Sequence, residues 1–277
     1  MRPTNTILGQ HFSIAGQLRF TFPRMLMSLF IMSYMVADGV LISRYMGTVA
    51  LASLNMIFPL AIFLGAVGIM LSAGGGSVVS RRMGAGDSAG ADRALSTLVY
   101  AEFAFGVIVG LLGILLLDPL LEFLNVNEEQ YAYAYEYQIV WLAFMPCFLL
   151  SVLSQTFFTV AGFPKLGLAV SIASGLTNVV LDIVFMGPFG WGMYGGALAT
   201  VISWIVAAVA GGIFFCRAKA PIKIILSSPD WAALKGACTS GFSEMVGSLS
   251  SSVTLYLFNA AFMYWLGVDG VAALTIA

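Results

Sequence analysis

Seven apolar stretches, each of about 20 residues or more, dominate this sequence of 277 residues. A run of about 20 apolar residues is long enough to cross the hydrocarbon core of a bilayer as a helix. The other spanning structure, a β-barrel, needs alternating apolar and polar residues, and segments such as FGVIVGLLGILLL do not alternate. We therefore predict an all-α polytopic membrane protein with spans at 21–43, 48–72, 95–117, 131–159, 166–187, 193–215 and 240–266.

Composition supports a lipid environment and excludes several classes of function. Hydrophobic residues make up 60% of the chain and charged residues 9%, whereas soluble domains carry roughly 25% charged residues. The net charge of −1 leaves no basic excess for nucleic acid. The single histidine, His11, excludes a histidine-based catalytic triad, and the three cysteines lack the spacing of a zinc site. We expect neither an enzyme nor a cofactor-binding protein.

The basic residues predict the orientation in the membrane. If successive helices alternate in direction, eleven of the twelve Lys and Arg residues fall on one side and only Arg44 on the other. Loops rich in Lys and Arg stay in the cytoplasm. We therefore expect a cytoplasmic N-terminus in the inner, or cell, membrane.

The polar stretch 217–235 divides the predicted helices into two groups. Residues 1–216 form a predicted six-helix N-terminal lobe, 217–235 a cytoplasmic linker between lobes, and 236–277 the start of a second lobe with the seventh helix. The segment 22–54 aligns without gaps to 242–274, with seven identities. Parallel six-helix repeats are a known transporter plan, so we expect the chain to be part of a protein of about twelve helices.

Ionisable side chains inside the spans mark the candidate functional site, because each costs about 2.5–3.5 kcal/mol at mid-membrane. Asp38 and Asp182 lie at a predicted depth of roughly 10 Å from the outer face. Tyr34 and Asn178 precede them by one helical turn, and Thr200 reaches a similar depth. Such a layer can share a proton between two carboxylates or supply oxygen ligands to Na⁺. The structural alternative is hydrogen bonding that only holds helices together.

Three further carboxylates receive separate interpretations. Glu244 lies near the start of the predicted seventh helix and is a candidate second cation site. Glu102 is interpreted as structural or interfacial, with a second titrating site as the alternative. Glu136 lies among tyrosines that are typical of an aromatic belt at the membrane interface, namely Tyr131, Tyr133, Tyr135 and Tyr137.

Prolines and glycines indicate where helices bend or end. Pro23 in the first predicted helix and Pro146 in the fourth each remove a backbone hydrogen bond and can kink the helix. A simple helix start is the alternative for Pro23. The glycine-rich stretches at 74–76 and 187–196 are predicted to be loops or tight turns.

Several motifs, in this order, resemble the MATE family of multidrug and toxic-compound extrusion transporters. They are Pro23 and Asp38 with the following GVLISRYMGTVALAS, SRRMGAGD at 80–87, AGFPK at 161–165, NVVLD at 178–182 and GPFGWGMYGGALATVIS at 187–203. The resemblance implies antiport: export of organic cations, drugs or metabolites through a cavity between two six-helix lobes, driven by inward flow of H⁺ or Na⁺. It also implies a cation site at Tyr34, Asp38, Asn178, Asp182 and Thr200, a bend at Pro23 on protonation, and a second-lobe cation site that includes Glu244.

A lipid-linked oligosaccharide or lipid flippase of the same superfamily is the alternative function. Such flippases handle anionic headgroups and would need cationic residues in the cavity, whereas no Lys or Arg lies deep within a predicted span. The expected partners are a small-molecule substrate, H⁺ or Na⁺, and membrane lipid around a monomer. An intramembrane enzyme is a second alternative, but with the single histidine outside the predicted spans only a carboxylate pair could serve it. A third alternative, a helical scaffold or receptor-like protein, would have no need for two matched buried carboxylates.

Overall fold

The computed structural model describes residues 14–124 and 126–273, which form nine α-helices. We call the end of the bundle that carries the short helix α4 the outer end, following the predicted orientation, and the opposite end the inner end. The helices are α1 (Ile14–Met46), α2 (Thr48–Gly84), α3 (Ser88–Leu115), α4 (Leu117–Phe123), α5 (Glu128–Ala143), α6 (Met145–Val160), α7 (Pro164–Met186), α8 (Gly192–Phe215) and α9 (Trp231–Ala273).

The predicted polytopic helical architecture is confirmed. In the described residues, six helices are long and apolar enough to cross a membrane, namely α1, α2, α3, α7, α8 and α9. A seventh crossing is formed by α5 and α6 together, which meet at a bend of 62°. The break lies at Phe144, and Pro146 occupies the first turn of α6, where its missing N–H is tolerated. The expected bend at this proline is therefore present.

Several helices are longer than their apolar segments, which corrects the predicted loops. Gly74, Gly75 and Gly76 were expected in a loop, but they lie inside α2, which continues to Gly84. Glycine is tolerated there because it lets a neighbouring backbone approach closely. Helix α3 begins at Ser88 because the side chain of Asp87 accepts a hydrogen bond of 2.8 Å from the N–H of Gly90.

Two other local predictions also need correction. Pro23 lies inside α1, nine residues after Ile14, so the alternative of a helix start is wrong. Of the predicted loop 187–196, only the first five residues precede α8, because the helix begins at Gly192. The glycines at 195 and 196 are helical because they allow the start of α8 to pack closely against Phe185 and Met186 at the end of α7.

Helix α9 packs antiparallel along the length of α2. Near the inner end, a Cβ atom on Gly74 would collide with the backbone of Ala237, and one on Gly241 with the backbone of Met70. Closer to the outer end, the Ser252 hydroxyl donates a hydrogen bond of 2.7 Å to the carbonyl of Pro59. The two helices thus touch through backbone at one end and through polar side chains towards the other.

The segment between α8 and α9 is bound to the surface of α3. Its backbone N–H groups donate to polar side chains of that helix: Lys223 to Asp92 and Ile225 to Ser96, both at 2.8 Å, and Asp230 to Thr97 at 2.9 Å. Helix α9 begins at Trp231, so the last five residues of the predicted linker 217–235 are helical. Asp230 starts this helix by accepting a hydrogen bond of 2.9 Å from the N–H of Ala233.

Candidate functional site

Four helices bring polar side chains together in the outer half of the bundle. Asp38 comes from α1, Tyr137 from α5, Asp182 from α7 and Thr200 from α8. Each lies within about 14 Å of the outer end of its helix at the α-helical rise of 1.5 Å per residue. We call these residues, with Tyr34 and Asn178, the polar layer.

Hydrogen bonds connect three helices within the polar layer. The amide of Asn178 donates to the hydroxyl oxygen of Thr200 at 3.2 Å. The hydroxyl groups of Tyr137 and Thr200 lie 3.4 Å apart. Asn178 and Thr200, both predicted from the sequence, are therefore hydrogen-bonded, and Thr200 lies at the centre of the connection between α5, α7 and α8.

Tyr137 is the member that sequence reasoning missed. It was assigned to the aromatic belt, but its side chain is buried against Thr200 instead of lying at the interface. Tyr131 and Tyr135, on the opposite side of α5, do stack on one another, and Tyr131 donates a hydrogen bond of 2.5 Å to Asp118. Helical spacing could have predicted the burial of Tyr137, because it precedes Trp141, which is also buried, by one turn of the same helix.

The two carboxyl groups lie side by side, close enough for a direct side-chain interaction. Asp182 has no exposed surface, and neither of its oxygens has a hydrogen-bond partner among the described residues. Asp38 is half-buried, and its Oδ1 atom is buried and also lacks a partner. Buried carboxylate oxygens without donors are costly unless a proton or a cation joins them. A proton or a small cation between the two carboxyl groups can satisfy these oxygens.

Tyr34 is held beside Asp38 by a close approach of α1 and α7. A Cβ atom on Gly175 would lie 2.8 Å from Cδ1 of Tyr34 and 2.7 Å from Cε1 of Phe30. Only glycine therefore fits at this position of α7 without a shift of both rings. Tyr34 lies one helical turn before Asp38 on α1, on the side towards the inner end.

The composition of the polar layer restricts what it can bind. In the described ranges, no Lys or Arg forms an ion pair with Asp38 or Asp182, and no group of three or more His, Cys, Asp or Glu side chains could hold a metal ion. Carboxylate, amide and hydroxyl oxygens are the donors that hard cations prefer. A proton shared by the two carboxyl groups, or one Na⁺ that also contacts Asn178 and Thr200, fits these donors.

Aromatic rings underlie the polar layer on its inner side. Trp141, one turn after Tyr137, and Trp204, one turn after Thr200, have ring centroids 5.4 Å apart. Phe148 lies 5.2 Å from the first and 5.0 Å from the second. These rings pack against one another at the bend between α5 and α6, so they separate the polar layer from the inner half of the bundle.

The remaining predicted residues lie apart from the polar layer. Glu244 was expected near the start of the seventh helix, but α9 begins thirteen residues earlier, and the side chain is exposed. Pro23 lies fifteen residues before Asp38 on α1. Glu102 is not interfacial, because it is fully buried between α2 and α3. Glu136 is half-buried near Gly192 at the outer end.

Comparisons with known proteins agree with this architecture. A sequence model of the MatE family matches residues 23–184, more than half of the chain. The chain is 26% identical over 246 residues to the multidrug export protein MepA of Staphylococcus saprophyticus, covering 88% of this chain and 54% of that protein. It is 26% identical over 199 residues to an FAD transporter of Shewanella oneidensis, covering 70% and 44%.

A solved structure shares the fold. It is the outward-facing conformation of a multidrug resistance MATE family transporter of the MOP superfamily, with a TM-score of 0.82, 26% identity, and coverage of 93% of this chain and 58% of that one. The chain spans about half the length of the curated relatives that it matches.

Proposed function

Because the chain belongs to the MatE family, whose members are transporters and not enzymes, we propose that this integral membrane protein exports drugs or metabolites by antiport with H⁺ or Na⁺. One observation carries the proposal: the adjacent carboxyl groups of Asp38 and Asp182 have buried oxygens inside predicted spans, and no described Lys or Arg forms an ion pair with them. Intramembrane carboxyl groups in such positions typically bind coupling ions.

The coupling ion binds at Asp38 and Asp182 in this proposal. Asn178 and Thr200 complete its ligands if the ion is Na⁺, and Tyr137 orients the Thr200 hydroxyl. Ion binding removes the repulsion between the carboxylates and thereby favours one arrangement of α1 against α7. Pro23 supplies a weak point at which α1 can bend. Coupling requires that this arrangement differ in substrate affinity, because an ion that binds both states equally shifts nothing.

The exported substrate is an organic cation in this proposal, because the acidic polar layer attracts positive charge. Flippase activity or export of an anion is the alternative. The relative named as an FAD transporter is the observation that favours this alternative. The lack of an ion pair between the polar layer and any described Lys or Arg favours the cation. We also propose that residues 1–216 form one lobe, that the linker ends at Asp230, and that α9 begins a second lobe in the cell membrane, with the N-terminus in the cytoplasm.

Transport in lipid vesicles tests the proposal. The full product of the gene is reconstituted in the vesicles. Movement of a fluorescent organic cation is then followed under a pH gradient and, separately, under a Na⁺ gradient. We expect movement under one of these gradients and its loss in Asp38→Asn and Asp182→Asn. Glu136→Gln, outside the polar layer, is the matched control. Folded wild-type protein that moves the cation under neither gradient would overturn the proposal.

A further inference from the structure

A second buried carboxyl group lies in the bundle, away from the polar layer. Glu102 of α3 has no exposed surface. Its Oε1 atom accepts a hydrogen bond of 2.7 Å from the hydroxyl of Ser72 on α2. Its Oε2 atom is buried and has no partner among the described residues. The site therefore supplies one donor to a group that has two oxygens.

The surroundings of Glu102 contain no balancing charge. No described Lys or Arg forms an ion pair with it, and Arg81, the nearest basic residue along α2, is nine residues from Ser72, or about 14 Å at the helical rise. An ionised carboxylate with a single hydroxyl donor in a low-dielectric interior costs several kcal/mol. These surroundings favour the neutral, protonated form of Glu102 over the carboxylate.

Ser72 links Glu102 to the contact between α2 and α9. Met70 and Gly74, two residues to either side of Ser72, touch the backbone of α9 at Gly241 and Ala237. At about 100° per residue, Ser72 points to the opposite side of α2 from these two contacts. A change in the hydrogen bond between Ser72 and Glu102 thus acts on α2 directly behind its closest approach to α9.

Other titratable groups on the elements packed here do not bond to Glu102. On α3, Gly106 packs against Pro146 of α6, and Gly110 and Gly113 pack against Leu142 of α5. The titratable or charged residues on the surrounding helices are Arg81 and Arg82 of α2; Asp92, Arg93 and Tyr100 of α3; Glu128, Glu129, Tyr131, Tyr133, Tyr135, Glu136 and Tyr137 of α5; Cys147 of α6; and Lys235, Cys238, Glu244, Tyr256, Tyr264 and Asp269 of α9.

We propose that Glu102 is a second proton-binding site, separate from the polar layer, and that its deprotonation repositions α2 against α9. The neutral acid accepts the Ser72 hydrogen bond and permits the close packing seen here. On deprotonation, the proton passes to water and the carboxylate draws donors or water into the space between α2 and α3. Proton binding by Glu102 does not depend on the proposed function. The effect of this proton on transport does rest on that function.

Infrared difference spectroscopy across a pH titration tests proton binding without transport. The background is Asp38→Asn/Asp182→Asn in lipid vesicles, which removes the carboxyl groups of the polar layer. We expect a carbonyl stretching band of a buried protonated acid that disappears at alkaline pH. The band should be absent after Glu102→Gln, which keeps an acceptor for Ser72, and should persist after Glu136→Gln.

Paired serine variants test the link to α2. Ser72→Ala removes the donor to Glu102 and should change the pH at which the band disappears. Ser53→Ala should leave that pH as in the parent protein, because Ser53 is equally buried on α2 but bonds to the carbonyl of Val49 in its own helix. In otherwise wild-type protein, Glu102→Gln should make the transport rate depend less strongly on pH.

Three results would overturn the inference. A band that is unchanged by Glu102→Gln would assign the titrating acid elsewhere. A Glu102 band that persists at every pH would make the residue a permanently neutral structural acid. Equal effects of Ser72→Ala and Ser53→Ala would remove the link to α2. Failure of the wild-type protein to transport, with the band still titrating, would contradict the proposed function and leave Glu102 as a proton site.

Discussion

The side-chain amide of Asn259 on α9 donates a hydrogen bond of 2.6 Å to the backbone carbonyl of Asn55 on α2. Pro59, four residues after Asn55, has no N–H, so this carbonyl lacks its usual partner within the helix. Asn259 thus supplies from a distant segment the donor that the proline removes. In a membrane, where water cannot satisfy the carbonyl, this hydrogen bond stabilises α9 against α2.

Loss of this hydrogen bond should destabilise the protein. We expect Asn259→Ala to lower the free energy of unfolding by about 1–3 kcal/mol, since it removes the hydrogen bond from α9 to the Asn55 carbonyl. In a Pro59→Ala background, where an N–H returns to the helix, the same substitution should cost less. Thermal unfolding in detergent measures both steps of this cycle. Ser251→Ala, an exposed serine bonded within α9, is the control; equal costs in both backgrounds would contradict the explanation.

The ion pair between Arg82 and Asp230, at 2.6 Å, should make stability depend on pH. The hydrogen bond from Arg82 lowers the pKa of Asp230 below the ordinary value for aspartate, which is about 3.9. Because the folded-state pKa is the lower one, the stabilisation is complete above the unfolded-state value and is lost as pH falls through the folded-state value.

Removal of Arg82 tests this interaction. We expect Arg82→Ala to lower the free energy of unfolding at neutral pH by about 1–2 kcal/mol. The part of this cost that comes from Asp230 should disappear in acid, whereas the part from the hydrogen bond of 2.8 Å to the Gly90 carbonyl should remain. Arg81→Ala, the exposed neighbouring residue, should have little effect. Unfolding measured across pH for the two variants provides the comparison. A pH-independent cost of Arg82→Ala would show that packing of the side chain, and not the charge of Asp230, is what matters.

Close backbone packing of α2 and α9 should not tolerate a side chain at Gly74. A Cβ atom there would collide with the carbonyl of Ala237, so we expect Gly74→Ala to cost about 1–3 kcal/mol through displaced helices. Gly212→Ala is the matched control, because its Cβ would meet nothing within 4 Å and helix propensity favours alanine there. Melting temperatures of the two variants in detergent should therefore move in opposite directions.

Tyr137 should contribute to transport although it carries no charge. We expect Tyr137→Phe to slow ion-driven transport about fivefold, since a lost hydrogen bond is worth about 1 kcal/mol. Tyr133→Phe, one turn earlier on α5, should transport like the wild type. Initial rates in vesicles under the effective ion gradient measure both. If Tyr137→Phe is indistinguishable from Tyr133→Phe, Thr200 needs no orienting partner.

Helix content and the candidate acids were predictable because they depend on local sequence. Runs of apolar residues are long enough to span, and a carboxyl group inside such a run is visible without knowledge of its neighbours. Asp38 and Asp182 were found in this way, and so was the bend at Pro146. Gly74 was misplaced in a loop because a glycine run is typical of loops unless another backbone packs against it.

The sequence by itself determined that this chain is a polytopic helical membrane protein with carboxyl groups buried in its spans, because hydrophobic length and the cost of buried charge are properties of individual segments. The tertiary structure decided which groups meet. Thr200 meets Tyr137 across 63 positions of the chain, and Asn55 meets Asn259 across 204. Such pairings depend on how helices rotate and cross when they pack, and no single segment contains that information.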